Sequence, residues 1–85
     1  MYAVIGPVYA KGNGYAFDVW VPNLGLLSGF VYSCAREACD AREAEISGRR
    51  RDAHSVPAFA CETADEFISE VAVLARQGHG LTKVA

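Results

Sequence analysis

Thr63-Ala64-Asp65-Glu66-Phe67-Ile68-Ser69-Glu70-Val71-Ala72-Val73-Leu74-Ala75-Arg76-Gln77-Gly78 decides the fold class of this chain. Its first four residues form a capping box: the Thr63 hydroxyl can accept the Glu66 N–H while the Glu66 carboxylate reaches back to the Thr63 N–H. Ala64, Phe67, Ile68, Val71 and Ala75 then recur at helical spacing, and Gly78 offers a left-handed stop. An amphipathic helix with both ends specified must lay its apolar stripe on something. The sequence upstream supplies strands to receive it.

Tyr2 to Tyr9 is β-branched and aromatic, with Gly6-Pro7 inside the run. Proline donates nothing to a ladder, so the reading is a strand that is bulged there or lies at an edge. Lys11-Gly12-Asn13-Gly14 is a hairpin signal, because Gly and Asn tolerate positive φ. Tyr15 to Val21 alternates, placing Tyr15, Phe17, Val19 and Val21 on one face and Ala16, Asp18 and Trp20 on the other. Pro22-Asn23-Leu24-Gly25 breaks that strand, and Leu26 to Tyr32 forms a third with a bulge at Ser28-Gly29.

Ser33 is read as the N-cap of a helix whose inward residues are the small Cys34, Ala35, Ala38, Cys39 and Ala41. Arg36, Glu37, Asp40, Arg42, Glu43 and Glu45 decorate its far side, with Arg36–Asp40 as an i,i+4 pair. Gly48 either ends this helix or weakens its last turns. Arg49-Arg50-Arg51 to Pro57 is a polar connection, Ala58 to Cys61 a link, and Leu81 to Ala85 a last short strand. The expectation is one α+β domain over residues 1–85. It has an antiparallel sheet of three to four strands with two helices packed on one face, in the order β-β-β-α-α-β.

A chain of 85 residues buries a modest core, yet 52% of its residues are hydrophobic. That surplus predicts a homodimer or a buried partner face. A net charge of −2 disfavours a mainly electrostatic nucleic-acid binder. Cys34, Cys39 and Cys61 match no zinc spacing and read as free thiols of a reducing cytoplasm. The N-terminus reads as a strand and not as a signal peptide, and no stretch approaches a membrane span. Cytoplasmic placement in a bacterial or phage-infected cell follows.

No constellation announces a chemistry. Gly12-Asn13-Gly14 joins strand to strand, whereas a phosphate cradle needs a helix N-terminus. His54, beside Asp52 and Ser55, sits on a loop and His79 between two glycines, so neither is a platform for catalysis. The reading assigns no catalytic residue, metal or cofactor. Asp18, Trp20, Arg49, Arg50 and Arg51 are the candidates for touching a protein partner, the arginines being the single charge cluster.

In order, Tyr2–Tyr9, Gly12–Gly14, Tyr15–Leu24 with Pro22-Asn23-Leu24, Ser28-Gly29, Ser33–Ala44 with Ala41-Arg42-Glu43-Ala44, Asp52 through Val56-Pro57, Thr63–Gly78 and Leu81–Val84 resemble the N-terminal domain of HicB-type antitoxins. Three features depart from the pattern. The loop after the second strand lacks its second proline, Gly48 interrupts the first helix, and no DNA-binding module follows the last strand. The resemblance implies a partly eroded ribonuclease-H-like fold without catalytic acids, and a lone inhibitory domain. Such a domain neutralises a small HicA-like mRNA-cleaving toxin by covering its surface. A phage-encoded inhibitor of a host defence complex, such as an anti-CRISPR, and a small RNA-binding module are the alternative readings.

Overall fold

A computed structural model describes residues 2–27, 30–51 and 56–79 of the chain, which are α+β. Five short strands come first: β1 (Ala3–Ile5), β2 (Tyr9–Lys11), β3 (Gly14–Ala16), β4 (Val19–Val21) and β5 (Gly25–Leu27). They are followed by α1 (Ala35–Arg51), β6 (Ala58–Ala60), α2 (Ala64–Leu74) and a π turn over Ala75–His79. The last strand expected over Leu81–Ala85, the bulge at Ser28-Gly29 and the loop around His54 lie outside the described residues.

The main sheet runs β5-β4-β1-β6, and β2 and β3 form a separate hairpin. β1 pairs antiparallel with β4, but it pairs parallel with β6, so the sheet is mixed where an antiparallel one was expected. Ala58–Ala60, read as a link, is therefore a strand. Its register of Ala3 on Ala58 and Ile5 on Ala60 makes β1 an interior strand. Gly6-Pro7 consequently ends β1 instead of bulging it, since an interior strand needs every donor that proline lacks.

The helices cover opposite faces of the sheet, which corrects the expectation that both lie on one. Alternation along β1 sends Ala3 and Ile5 to a core with Val19, Val21 and Ile46 of α1. Val4 points the other way, into a core with Trp20, Cys61 and Leu74 of α2. All three β1 residues are fully buried. The run Ala3-Val4-Ile5 is apolar without a gap, the pattern of a strand covered on both sides.

Local chemistry explains the element ends. The hairpin turn carries Gly12 at φ 60°, the first central position where glycine-led hairpin turns require positive φ. Between β4 and β5, Asn23 takes φ 68° after Pro22, and the Leu24 N–H bonds the Val21 carbonyl at 3.1 Å, as in a type II turn. Thr63 caps α2 by accepting the Glu66 N–H at 3.1 Å. The Glu66 carboxylate, however, accepts from Glu62 N at 2.8 Å, one residue further back than the capping box predicts. The apolar stripe of α2 is Phe67, Val71 and Leu74, while Ile68 remains 63% exposed. The α-helical pattern ends at Leu74, and Gly78 falls within the wider π turn.

α1 begins at Ala35, with the Ala38 N–H bonded to the Cys34 carbonyl, so Cys34 and not Ser33 holds the capping position. Ser33 instead donates its hydroxyl to Glu37 at 2.6 Å. The helix continues through Gly48 to Arg51, and the arginine run is its last turn rather than a connection. Glycine inside a helix costs about 1 kcal/mol. The Arg49–Glu45 bond at 2.9 Å and basic residues at the helix C-terminus offset it. Arg36–Asp40 is not among the ion pairs of the described residues, which are Arg49–Glu45 and Arg42–Glu43.

Candidate partner surface

The five candidate partner residues do not form one patch. Trp20 is 6% exposed and packed under α2, so it is core and not surface. Placing α2 on the second face converts the face that carries Trp20 into an interior. Asp18 is half-buried and structural: its carbonyl accepts the Gly6 N–H at 2.8 Å and its carboxylate accepts the Tyr9 hydroxyl at 3.1 Å. Arg49 is half-buried against Glu45 near the end of α1, and Arg50 and Arg51 follow it on the same turn.

Arg42, expected to face solvent, is inward. Its Nε donates to the Gly6 carbonyl and its Nη2 to the Cys61 carbonyl, each at 2.7 Å. Those carbonyls lie just past the ends of β1 and β6, beyond the last ladder positions that could have satisfied them. The guanidinium fork therefore ties α1 to both parallel strands.

The surface that does assemble lies at the β5 edge of the sheet. Of the ten large hydrophobic residues exposed among those described, Leu24, Leu26, Leu27, Phe30 and Val31 fall within one stretch of the chain. Leu26 pairs with Trp20 and faces the α2 side, whereas Leu27 pairs with Val19 and faces the α1 side. The apolar rim thus wraps around the edge strand. From Val19 to Ala35 the chain carries no charged residue.

On the α1 side the rim runs into an open groove of about 340 Å³. Phe17, Val19 and Leu27 form its floor, Phe30 and Tyr32 one wall, and Ala41 and Glu45 of α1 the other. The Phe17 and Tyr32 rings stack with centroids 6.3 Å apart. Paired backbone bonds between Tyr15 and Tyr32, at 2.9 and 2.7 Å, hold this wall to the hairpin. A side chain on Gly14 would overlap the Tyr32 carbonyl, so close backbone approach requires glycine there. Glu45 links groove to arginines, lining the first and bonding Arg49.

A comparison with protein families, curated proteins and solved structures returned no match to this chain.

Sequence reading missed the groove because Leu26 to Tyr32 looked like one strand with a bulge at Ser28-Gly29. Adjacent leucines were the available signal. On a strand they point to opposite faces, so an edge strand carrying both must leave apolar surface on each side.

Among the described residues no group of three His, Cys, Asp or Glu could hold a metal ion, and no helix is long and apolar enough to cross a membrane. Cys34 and Cys39 are exposed and Cys61 is buried. Burial pushes the Cys61 thiol up to about 11, reinforced by Glu66 and Glu70 and opposed by Arg42. Thiolate is the reactive form. Alkylation of the native protein at pH 8 is therefore expected to modify Cys34 and Cys39 and to reach Cys61 only after denaturation. Mass spectrometry of the alkylated peptides checks this, and rapid labelling of Cys61 would contradict its placement under α2.

Proposed function

We propose that this chain is a non-catalytic binding protein that acts in the cytoplasm as a homodimer. It neutralises a protein partner by surface occlusion, in the manner of a HicB-type antitoxin acting on a small HicA-like mRNA-cleaving toxin. The concentration of exposed apolar side chains along the β5 edge, continuing into the groove beside α1, carries this reading. A monomeric soluble surface scatters such residues singly, whereas a contiguous apolar patch with a polar rim marks an interaction site. Here the groove supplies the apolar centre, and Glu45 with the Arg49 it bonds supplies polar groups at its border. The resemblance along the chain points to the same activity.

The direct test uses the small basic nuclease encoded beside this gene, if there is one, in an RNA-cleavage assay. Stoichiometric addition of the purified chain is expected to abolish cleavage. Undiminished cleavage with the inhibitor in excess would sink the antitoxin reading. Intrinsic hydrolysis of RNA by the chain alone would sink the non-catalytic one. Joint replacement of Arg49, Arg50 and Arg51 by Ala should weaken inhibition roughly tenfold, through slower association. The loss of the half-exposed Arg49–Glu45 pair should lower stability by only about 0.5 kcal/mol. An unchanged inhibition constant would remove the arginines from the contact.

A further inference from the structure

We propose that the groove beside α1 receives an arginine side chain presented by the protein partner, held between aromatic rings on one side and carboxylates of α1 on the other. The inference rests on the reading of this chain as a protein-binding inhibitor and names what its groove takes.

Phe17, Phe30 and Tyr32 give the groove an aromatic lining. Tyr32 belongs to both ring pairs. It lies nearly parallel to Phe17, at 9°, and tilted by 40° to Phe30, with centroids 6.3 and 6.4 Å apart. Clustered rings ordinarily close on one another in a core. Here Phe30 stays 79% exposed, and the cluster borders an open volume of about 340 Å³, within the range of sites that hold ligands. Ring faces are electrostatically negative, so such a lining attracts a cation.

Charge is the second observation. Glu45 is the only charged residue lining the groove. Glu37, Ala41 and Glu45 follow one another at i, i+4 and i+8, which places them in one row along α1. The small Ala41 leaves room between the two acids. The Glu37 carboxylate accepts the Ser33 N–H at 3.2 Å and the Ser33 hydroxyl at 2.6 Å, which holds it next to the Tyr32 wall. Arg49 bonds Glu45 without lining the groove, so two carboxylates against one guanidinium leave this border negative.

That combination selects among occupants. A nucleotide could stack its base on the rings, but its phosphate would meet carboxylates and find no lysine or arginine among the lining residues. An apolar side chain would use the rings and desolvate Glu45 for nothing. A guanidinium uses both. Its plane stacks on a ring, its N–H fork meets a carboxylate, and its apolar stem suits the floor of Val19 and Leu27.

NMR titration of the full chain at low salt with a short capped peptide centred on arginine tests the site, followed at the Phe17, Phe30 and Tyr32 ring protons. Citrulline, which has the same shape without the charge, replaces arginine in the control peptide. The arginine peptide is expected to bind roughly fivefold more tightly than the control, and Glu45→Gln should remove most of that difference. Phe30→Leu, at an exposed position, should weaken the arginine peptide by a similar factor with circular dichroism unchanged. It decides alone should Glu45→Gln disturb the fold. Equal binding of the two peptides overturns the cation site in favour of a plain apolar groove. Ring shifts with uridine monophosphate but not with arginine overturn it in favour of nucleic acid. Failure of the arginine peptide to bind a chain that still inhibits its nuclease overturns the site and leaves the inhibitor standing. Arginine binding by a chain that inhibits nothing supports the site and overturns the inhibitor.

Discussion

Trp20→Ala is expected to destabilise the domain by about 3–5 kcal/mol, most of the stability available to a chain of this size. Trp20 is the largest side chain of the core beneath α2, 6% exposed and packed with Val4, Cys61 and Leu74. Its partner across the register is Val4 of the interior strand, so a cavity here undermines β1 and α2 together. Neighbouring helix and strand are held by backbone bonds and cannot collapse into the space. Urea denaturation followed by circular dichroism measures the loss, with Tyr15→Ala, on an exposed ring, as a control expected to lose much less. A Trp20→Ala midpoint close to wild type would mean that α2 does not pack on this face.

Arg42→Ala carries the second large effect, about 2–4 kcal/mol. The side chain is 13% exposed and donates two charge-assisted bonds to backbone carbonyls that no strand satisfies. Removing it leaves the Gly6 and Cys61 carbonyls without these donors in a partly buried site, and a desolvated acceptor without a donor costs about 1–3 kcal/mol. Arg42→Lys keeps the charge but reaches two divergent carbonyls with a single ammonium, so about half of the loss should remain. Arg42→Met separates packing from hydrogen bonding, because it preserves most of the apolar stem. If Met proves as stable as wild type, the two carbonyls find water and the tether is dispensable.

What sequence could and could not foretell follows from the range of the interactions involved. The Thr63 cap, the glycine-led hairpin and the Pro22-Asn23 turn are local and were legible. Each depends on one residue's φ or one side chain's reach. β6 was not. Ala58-Phe59-Ala60 is three residues long and mostly small, and it becomes a strand only because β1, distant in the chain, offers a parallel edge. The layering was misread for a related reason. Helical periodicity shows that α1 and α2 each need a face, but not which face.

The continuous burial of Ala3-Val4-Ile5 records two faces covered, and reading the strand as bulged or at an edge because of Gly6-Pro7 obscured it. Arg42 was missed because an arginine on an alanine-rich helix usually points to water, and nothing in its neighbours predicts two carbonyls waiting at strand ends. The partner surface was sought among charges and an aromatic ring. The exposed apolar surface lies instead in a stretch notable for having no charge. Of the candidate residues, Arg49 bonds the groove-lining Glu45, Trp20 moves to the core, and Asp18 braces the turn after β1.

The parallel pairing of β1 with β6 also shapes how the chain comes to be folded. β1 is made first, yet its second neighbour is among the last strands synthesised, and contacts this distant in sequence slow folding. Until β6 arrives, the central strand lacks one partner, and the uncharged stretch that follows it is open to solvent beside other nascent chains. Aggregation or chaperone capture thus competes with folding during that interval. Early presence of a binding partner would shorten it, so yield in the cell should depend on when that partner is made as much as on how tightly it binds.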